Sequence, residues 1–198
     1  MKGLLNFMFQ KYLSFYFVFL FFIIFIICLV IFPTILNNSN IIVSEPDDFI
    51  WPTPNYYTIT SNFGYRKAPT GGASTHHSGI DIGAPEGSKI LSICDGYVSF
   101  AGFKGAGGFT ITVDSSPYTI SYCHVNPNIT VQVSEFVSKG EIISKVGPKY
   151  VENVPNNPYR DSTGKSTNGA TTGPHLHLTI KKEGQLVDPL SIIKLINN

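Results

Sequence analysis

Residues 15–32 are eighteen consecutive positions without a charge, drawn from Phe, Ile, Leu and Val with Tyr16 and Cys28. The apolar zone runs over residues 13–36 and is broken only by Ser14, Pro33 and Thr34. About 20 helical residues cross the ~30 Å hydrocarbon layer of a membrane, so this stretch is long enough to span one. A cleavable secretory signal would carry an apolar core of about 7–15 residues followed by a small-residue cleavage site. The exit here, Phe32-Pro33-Thr34-Ile35-Leu36, offers no such site. Residues 13–36 therefore read as an uncleaved transmembrane anchor behind a tail of residues 1–12. Lys2 and Lys11 precede the span, and no Lys or Arg follows it until Arg66. That asymmetry predicts a single-pass protein of the cell membrane, its N-terminus cytoplasmic and its C-terminal domain extracytoplasmic.

The anchor also dominates the composition. All 13 acidic residues lie beyond residue 36, against 14 − 2 = 12 basic ones, leaving the outer portion at −1. A nucleic-acid binder would carry a clear basic excess, and none is present. Residues 37–50 are rich in Asn, Ser and acid and read as a linker. Trp51-Pro52-Thr53-Pro54 then opens a domain over residues 51–198, about 150 residues and enough for one core.

Within that domain short β-branched and aromatic runs alternate with Gly, Pro, Asn and Ser. Residues 89–103 read as strand around Asp95-Gly96. Residues 109–113 and 118–125 read as a hairpin turning at Asp114-Ser115-Ser116-Pro117. Residues 129–133 alternate with a period of two, and residues 175–181 read as a strand turning at Glu183-Gly184 into Gln185-Leu186-Val187. No helical period of ordinary length is present outside the last few residues. The expected class is all-β, a mostly antiparallel sheet or sandwich. Cys94 and Cys123 fall on separate strand-like segments, which allows one bridge, although two buried inert thiols are the commoner outcome.

The chain has five histidines. Four form two clusters, His76-His77-Ser78-Gly79-Ile80-Asp81 and Gly173-Pro174-His175-Leu176-His177-Leu178, with His124 between them. Any one of these alone is better read as a hydrogen-bonded core or surface residue. As a set, His-x-x-x-Asp with His-x-His is too ordered for scattered residues. Zinc accepts imidazole nitrogen and carboxylate oxygen, and a hydrolytic site uses three protein ligands with one position left open. On a strand His175 and His177 share a face while Leu176 and Leu178 face the core. Gly79 lets the backbone bend between His77 and Asp81. Cys123 beside His124 suggests a thiol nucleophile, but adjacent strand residues face opposite sides and are poorly placed to pair.

Asn62-Phe63-Gly64-Tyr65-Arg66, His77-Ser78-Gly79-Ile80-Asp81-Ile82, Ala84-Pro85-Glu86-Gly87, Asp95-Gly96-Tyr97-Val98, Tyr122-Cys123-His124, Val137-Ser138-Lys139-Gly140-Glu141 and Gly173-Pro174-His175-Leu176-His177 occur in this order. Over roughly residues 59–190 the chain thereby resembles the LytM/lysostaphin-type zinc endopeptidases, peptidase family M23. The resemblance implies an antiparallel β fold with one Zn²⁺ at the floor of a groove. It implies His77, Asp81 and His177 as metal ligands and His124 and His175 as catalytic residues that do not hold the metal. His76 has no role in these motifs and is expected at the groove edge. The implied substrate is peptidoglycan peptide, either stem or cross-bridge. No His-Glu-x-x-His motif supplies a general base, which leaves the remaining histidines to move protons.

Residues 148–172 depart from the family pattern as a polar segment of unusual length. Its place just before His175 predicts a wall of the groove. Two alternatives use the same fold: a non-catalytic scaffold or activator, and a component of an envelope assembly with a structural metal. Relatives of the first kind lose metal or catalytic residues, whereas this chain keeps all five. A structural zinc is closed by four protein ligands, and only three are identifiable here.

Overall fold

The computed structural model describes Tyr16, residues 19–26 and residues 49–193. The chain divides into two units, Met1–Ile42 and Val43–Asn198. In the first, residues 19–26 are helical with exposed side chains. Most of the expected membrane span lies outside the described residues, and no described helix is long and apolar enough to cross a membrane.

The second unit is built of short strands: β1 (Ile59–Ser61), β2 (Gly64–Tyr65), β3 (His76–His77), β4 (Ile80–Ile82), β5 (Lys89–Leu91), β6 (Gly96–Phe103), β7 (Phe109–Ser115), β8 (Tyr118–Cys123), β9 (Phe136–Val137), β10 (Ile142–Lys145), β11 (Leu176–Lys182) and β12 (Gln185–Val187). Eight form one sheet in the order β1-β4-β11-β8-β7-β6-β9, with β12 added to β11. β5 pairs with β10, and β2 with β3, as separate ribbons. Every strand pair is antiparallel. The expected all-β class is the one observed, realised as one broad sheet with small ribbons.

The central strands alternate strictly. Ile80, Ile82, Ile111, Val113, Ile120, Tyr122, Leu176, Leu178 and Ile180 face the core and are fully buried. Each such apolar side chain contributes about 1.5–3 kcal/mol relative to exposure. The β5–β10 ribbon adds Ile90 and Ile143 to the same cluster. Tyr122 is buried with them because its hydroxyl accepts the Ile93 N–H at 2.8 Å. The period of two then sends Asp81, His177, Thr179, Ser121 and Cys123 to the opposite face, where they line a groove. One pattern therefore fixes both the core and the polar floor of the groove.

Gly79 does more than allow a bend. A Cβ there would stand 2.0 Å from the Leu178 carbonyl oxygen, so β4 can approach β11 this closely only with glycine at that position.

Several sequence expectations need correction. Residues 129–133 form no strand. Of that alternating run Val131 alone is buried, while Val133 is exposed, so no partner strand meets the run. His124 does not lie on a strand, because β8 ends at Cys123 and His124 turns away at φ +58°. His175 likewise precedes β11 rather than opening it. His76 does not lie in a loop: it sits in β3, edge-on to the rings of Phe63 and Tyr65. The hairpin turn is shorter than expected, with Ser115 paired to Tyr118 across Ser116-Pro117. Cys94 and Cys123 are free and buried. Burial pushes both thiols up to about 11, which makes them inert near neutral pH.

Candidate active site

β11 is the hinge of the site. Its register pairs His177 with Asp81 of β4 on one side and with Cys123 of β8 on the other. β3 brings His77 alongside, and the three side chains offer ligand atoms within 4.8 Å of one another. His77 Nε2 lies 3.0 Å from Asp81 Oδ1 and 2.8 Å from His177 Nδ1. His177 Nδ1 is 2.8 Å from the same carboxylate oxygen.

The contacts behind these atoms decide what they can hold. His77 Nδ1 faces the Asn62 carbonyl at 2.8 Å. A carbonyl can only accept, so Nδ1 carries the proton and Nε2 presents a bare lone pair. Asp81 Oδ1 is also an acceptor, and two acceptors 3.0 Å apart repel unless a cation or a shared proton lies between them. The other carboxylate oxygen, Oδ2, accepts from Arg66 Nη1 at 3.0 Å, and Arg66 also donates to Ser61 Oγ. His177 Nε2 is engaged by Thr179 Oγ1 at 2.9 Å, one period of two further along β11. Each donor is thus oriented from behind, as metal-binding imidazoles and carboxylates are. Two nitrogens, one oxygen and a groove open on the remaining side suit zinc. The residues present fit that ion.

Charge agrees with geometry. Burial alone would raise the Asp81 carboxyl, but the His175, His177 and His77 imidazoles crowded around it outweigh that effect and hold the group well below the usual carboxylate range. Burial lowers the His177 imidazole, which keeps it neutral and able to donate a lone pair.

The other two histidines approach from above. His175 Nε2 stands 3.5 Å from Asp81 Oδ1, and its ring centroid is 4.7 Å from that of His124. His175 Nδ1 donates to the Gly173 carbonyl at 2.8 Å, and His124 Nδ1 to the Asn168 carbonyl at 2.7 Å. Both therefore present an unprotonated Nε2 when neutral. Burial pushes the His124 imidazole down to about 3, with the neighbouring His175 and His177 adding to the shift.

A pH dependence follows. Unfolded His124 binds a proton near its ordinary 6.5, whereas the folded residue does so only near 3. The unfolded state takes up more protons in that interval, so stability should fall as pH drops from about 6.5 toward 3. Thermal unfolding of chelator-treated protein should record this fall, and His124→Gln should flatten it. An undiminished fall in that variant would assign the acid sensitivity to the other histidines.

The structure brings together all five residues expected at the site, and it adds four whose contacts the sequence did not disclose. Asn168 is fully buried. Besides holding His124 through its carbonyl, it accepts the Phe109 N–H through Oδ1 at 2.8 Å and donates through Nδ2 to the Val125 carbonyl at 3.0 Å. In sequence it precedes Gly169 and reads as a turn residue, which hides this role. Asn62 and Arg66 were visible only as parts of a motif, without their contacts. Thr179 continues the period of two begun by His175 and His177, a signal that was present.

Residues 148–172 serve the site at one end. Ala170 and Thr172 line the groove, which encloses about 740 Å³. The remainder folds on itself, with Tyr150 bridged to Thr167 and Arg160 to Ser166. The Tyr150 hydroxyl donates to Asp161 at 2.8 Å, and Lys165 lies over the Tyr150 ring at 4.1 Å.

Comparison with known proteins agrees with this architecture. The model of Peptidase family M23 matches residues 75–189, and the chain belongs to that family. It is 33% identical over 138 residues to the DD-carboxypeptidase/endopeptidase Mpg of Neisseria meningitidis, covering 69% of this chain and 27% of that protein. It is 28% identical over 137 residues to the peptidoglycan DD-endopeptidase ShyB of Vibrio cholerae, covering 68% of this chain and 28% of that one. The chain thus spans about a quarter of the length of these relatives. Among solved structures, a zinc-containing peptidase from Vibrio cholerae superposes with a TM-score of 0.55 at 28% identity, covering 71% of this chain and 38% of the other.

Proposed function

We propose that this chain is a membrane-anchored, extracytoplasmic zinc endopeptidase that hydrolyses peptide bonds of peptidoglycan stems or cross-bridges. The observation that carries the reading is the convergence of His77 Nε2, Asp81 Oδ1 and His177 Nδ1, ligand atoms oriented from behind and facing one another at 2.8–3.0 Å. His77, Asp81 and His177 would hold the ion. A zinc there supplies Lewis acidity toward a carbonyl oxygen and makes water a stronger acid.

The chain's own residues do the rest. Arg66 keeps the Asp81 carboxylate turned with Oδ1 toward the other two donors. His124 Nε2, neutral because its ring is buried, accepts a proton from the attacking water. His175 Nε2, on the same side of the groove, donates to the developing oxyanion when protonated. The Asn168 and Gly173 carbonyls fix both rings so that neither nitrogen must reorient during turnover. Peptidoglycan as substrate is supported by the names of the relatives. Incubating the purified protein with isolated cell walls should release new peptides, each cleavage adding one water to the mass. Walls left unchanged would refute the substrate.

Anchoring rests on the uncharged residues 15–32 and on Lys2 and Lys11 before them. Protease added to intact protoplasts should remove the C-terminal domain and spare the N-terminal segment. Full protection until lysis would reverse the orientation.

A further inference from the structure

The lining of the groove is unevenly charged. It carries Arg66, Lys67 and Lys104 against one carboxylate, that of Asp81. Arg66 is already committed to Asp81. Lys104 touches the Phe100 ring at 5.0 Å, and among the described residues neither Lys67 nor Lys104 has a carboxylate within ion-pair distance. Both are exposed. Two cations thus face a groove in which Asp81, the one acid among the described residues of the lining, is taken up by His77, His177 and Arg66.

Their positions relative to the chemistry are set by backbone contacts. Lys67 follows Arg66, whose N–H is held by the Thr75 carbonyl at 2.8 Å. Lys104 opens a tight turn closed by Lys104 N to Gly108 O at 2.8 Å, and Gly107 O of that turn accepts the His124 N–H at 2.8 Å. One lysine therefore stands on the loop that serves Asp81, the other on the loop that holds His124. Tyr159 joins these two loops. A Cβ on Gly72 would lie 2.9 Å from its ring, and one on Gly105 3.9 Å from its hydroxyl oxygen. The long segment of residues 148–172 thus lies alongside both walls that bear the lysines.

We infer that Lys67 and Lys104 read a carboxylate of the substrate peptide close to the scissile bond, making the groove selective for anionic peptides over amidated ones. This rests on the peptidase reading of the site. A carboxylate that meets an ammonium group of the groove lining gains charge-assisted hydrogen bonds that a neutral amide cannot match. The carboxylate can be C-terminal or on a side chain, and the test separates the two.

The experiment compares kcat/KM for stem peptides with all carboxylates free, with the C-terminal carboxylate amidated, and with a side-chain carboxylate amidated. For wild type, one amidation should cost ~10-fold or more, the scale of losing a hydrogen bond to a charged group. Which amidation does so identifies the carboxylate that is read. In the Lys67→Gln/Lys104→Gln double variant the acid-to-amide ratio should fall to about 1. Because the result is a ratio within one protein, partial loss of folding cancels. A wild-type ratio near 1 for both amidations, or a ratio retained in the double variant, overturns the inference. If wild type cleaves none of the peptides, the peptidase reading fails instead. Fluorescence anisotropy with the same labelled peptides then decides the lysine assignment on the acid-to-amide ratio of Kd.

Discussion

Asp81→Ala should leave the protein with almost no bound zinc and without measurable peptide hydrolysis. The carboxylate holds three things at once: it would supply the only oxygen donor, it accepts Arg66 through Oδ2, and it sits within 3.0 Å of two imidazole nitrogens through Oδ1. Its removal leaves two nitrogen donors, too few for a tight tetrahedral site. The loss in metal affinity should exceed the ~10–100-fold that follows loss of a residue that merely orients a ligand. Arg66 loses its partner as well, but the core beneath is apolar and independent, so the fold should survive. Zinc content by atomic spectroscopy and far-UV circular dichroism, measured on one preparation, check both halves. Unchanged zinc stoichiometry would remove Asp81 from the ligand set.

His124→Ala and His175→Ala should each keep the metal and lose turnover. Neither ring is required by the three-ligand cluster, since both reach the groove from outside the strands that bear the ligands. Losing a positioned acid–base group usually costs about 10²–10⁴-fold in rate. The two losses should not add in the double variant, because both rings serve the same water and oxyanion. Paired measurements of zinc content and kcat separate this from a ligand role. If His175→Ala lost zinc while His177→Ala kept it, the assignment within His175-Leu176-His177 would be reversed.

The sheet and the site were legible in the sequence to different degrees. The period of two in Leu176-His177-Leu178-Thr179-Ile180 announced a strand with an apolar face and a functional one, and that strand lies inside the sheet between β4 and β8. The hairpin of residues 109–123 was legible from its β-branched and aromatic runs and from the turn residues between them. Residues 129–133 carry the same alternation and form no strand, because a periodic pattern says nothing about whether a partner strand lies alongside. The metal-binding residue types identify themselves, since His and Asp grouped this way have few other uses.

Their supporting atoms do not. Asn62 and Asn168 hold the His77 and His124 rings through backbone carbonyls, which every residue possesses, so no side-chain pattern reveals those contacts. Asn168 lies 44 residues from the His124 it holds, so the sequence local to either residue does not announce the contact. The positive φ at His124 is uncommon for any residue but glycine, and no pattern in the sequence announces it.

Zinc and wall hydrolysis should go together in the wild-type protein. Purified full-length protein should contain one zinc per chain, release peptides from isolated peptidoglycan, fall silent when a chelator removes the metal, and recover as zinc is restored to one equivalent. A protein that keeps its one zinc and cleaves no wall peptide would be a scaffold on this fold. One that cleaves equally well without metal would contradict the site itself.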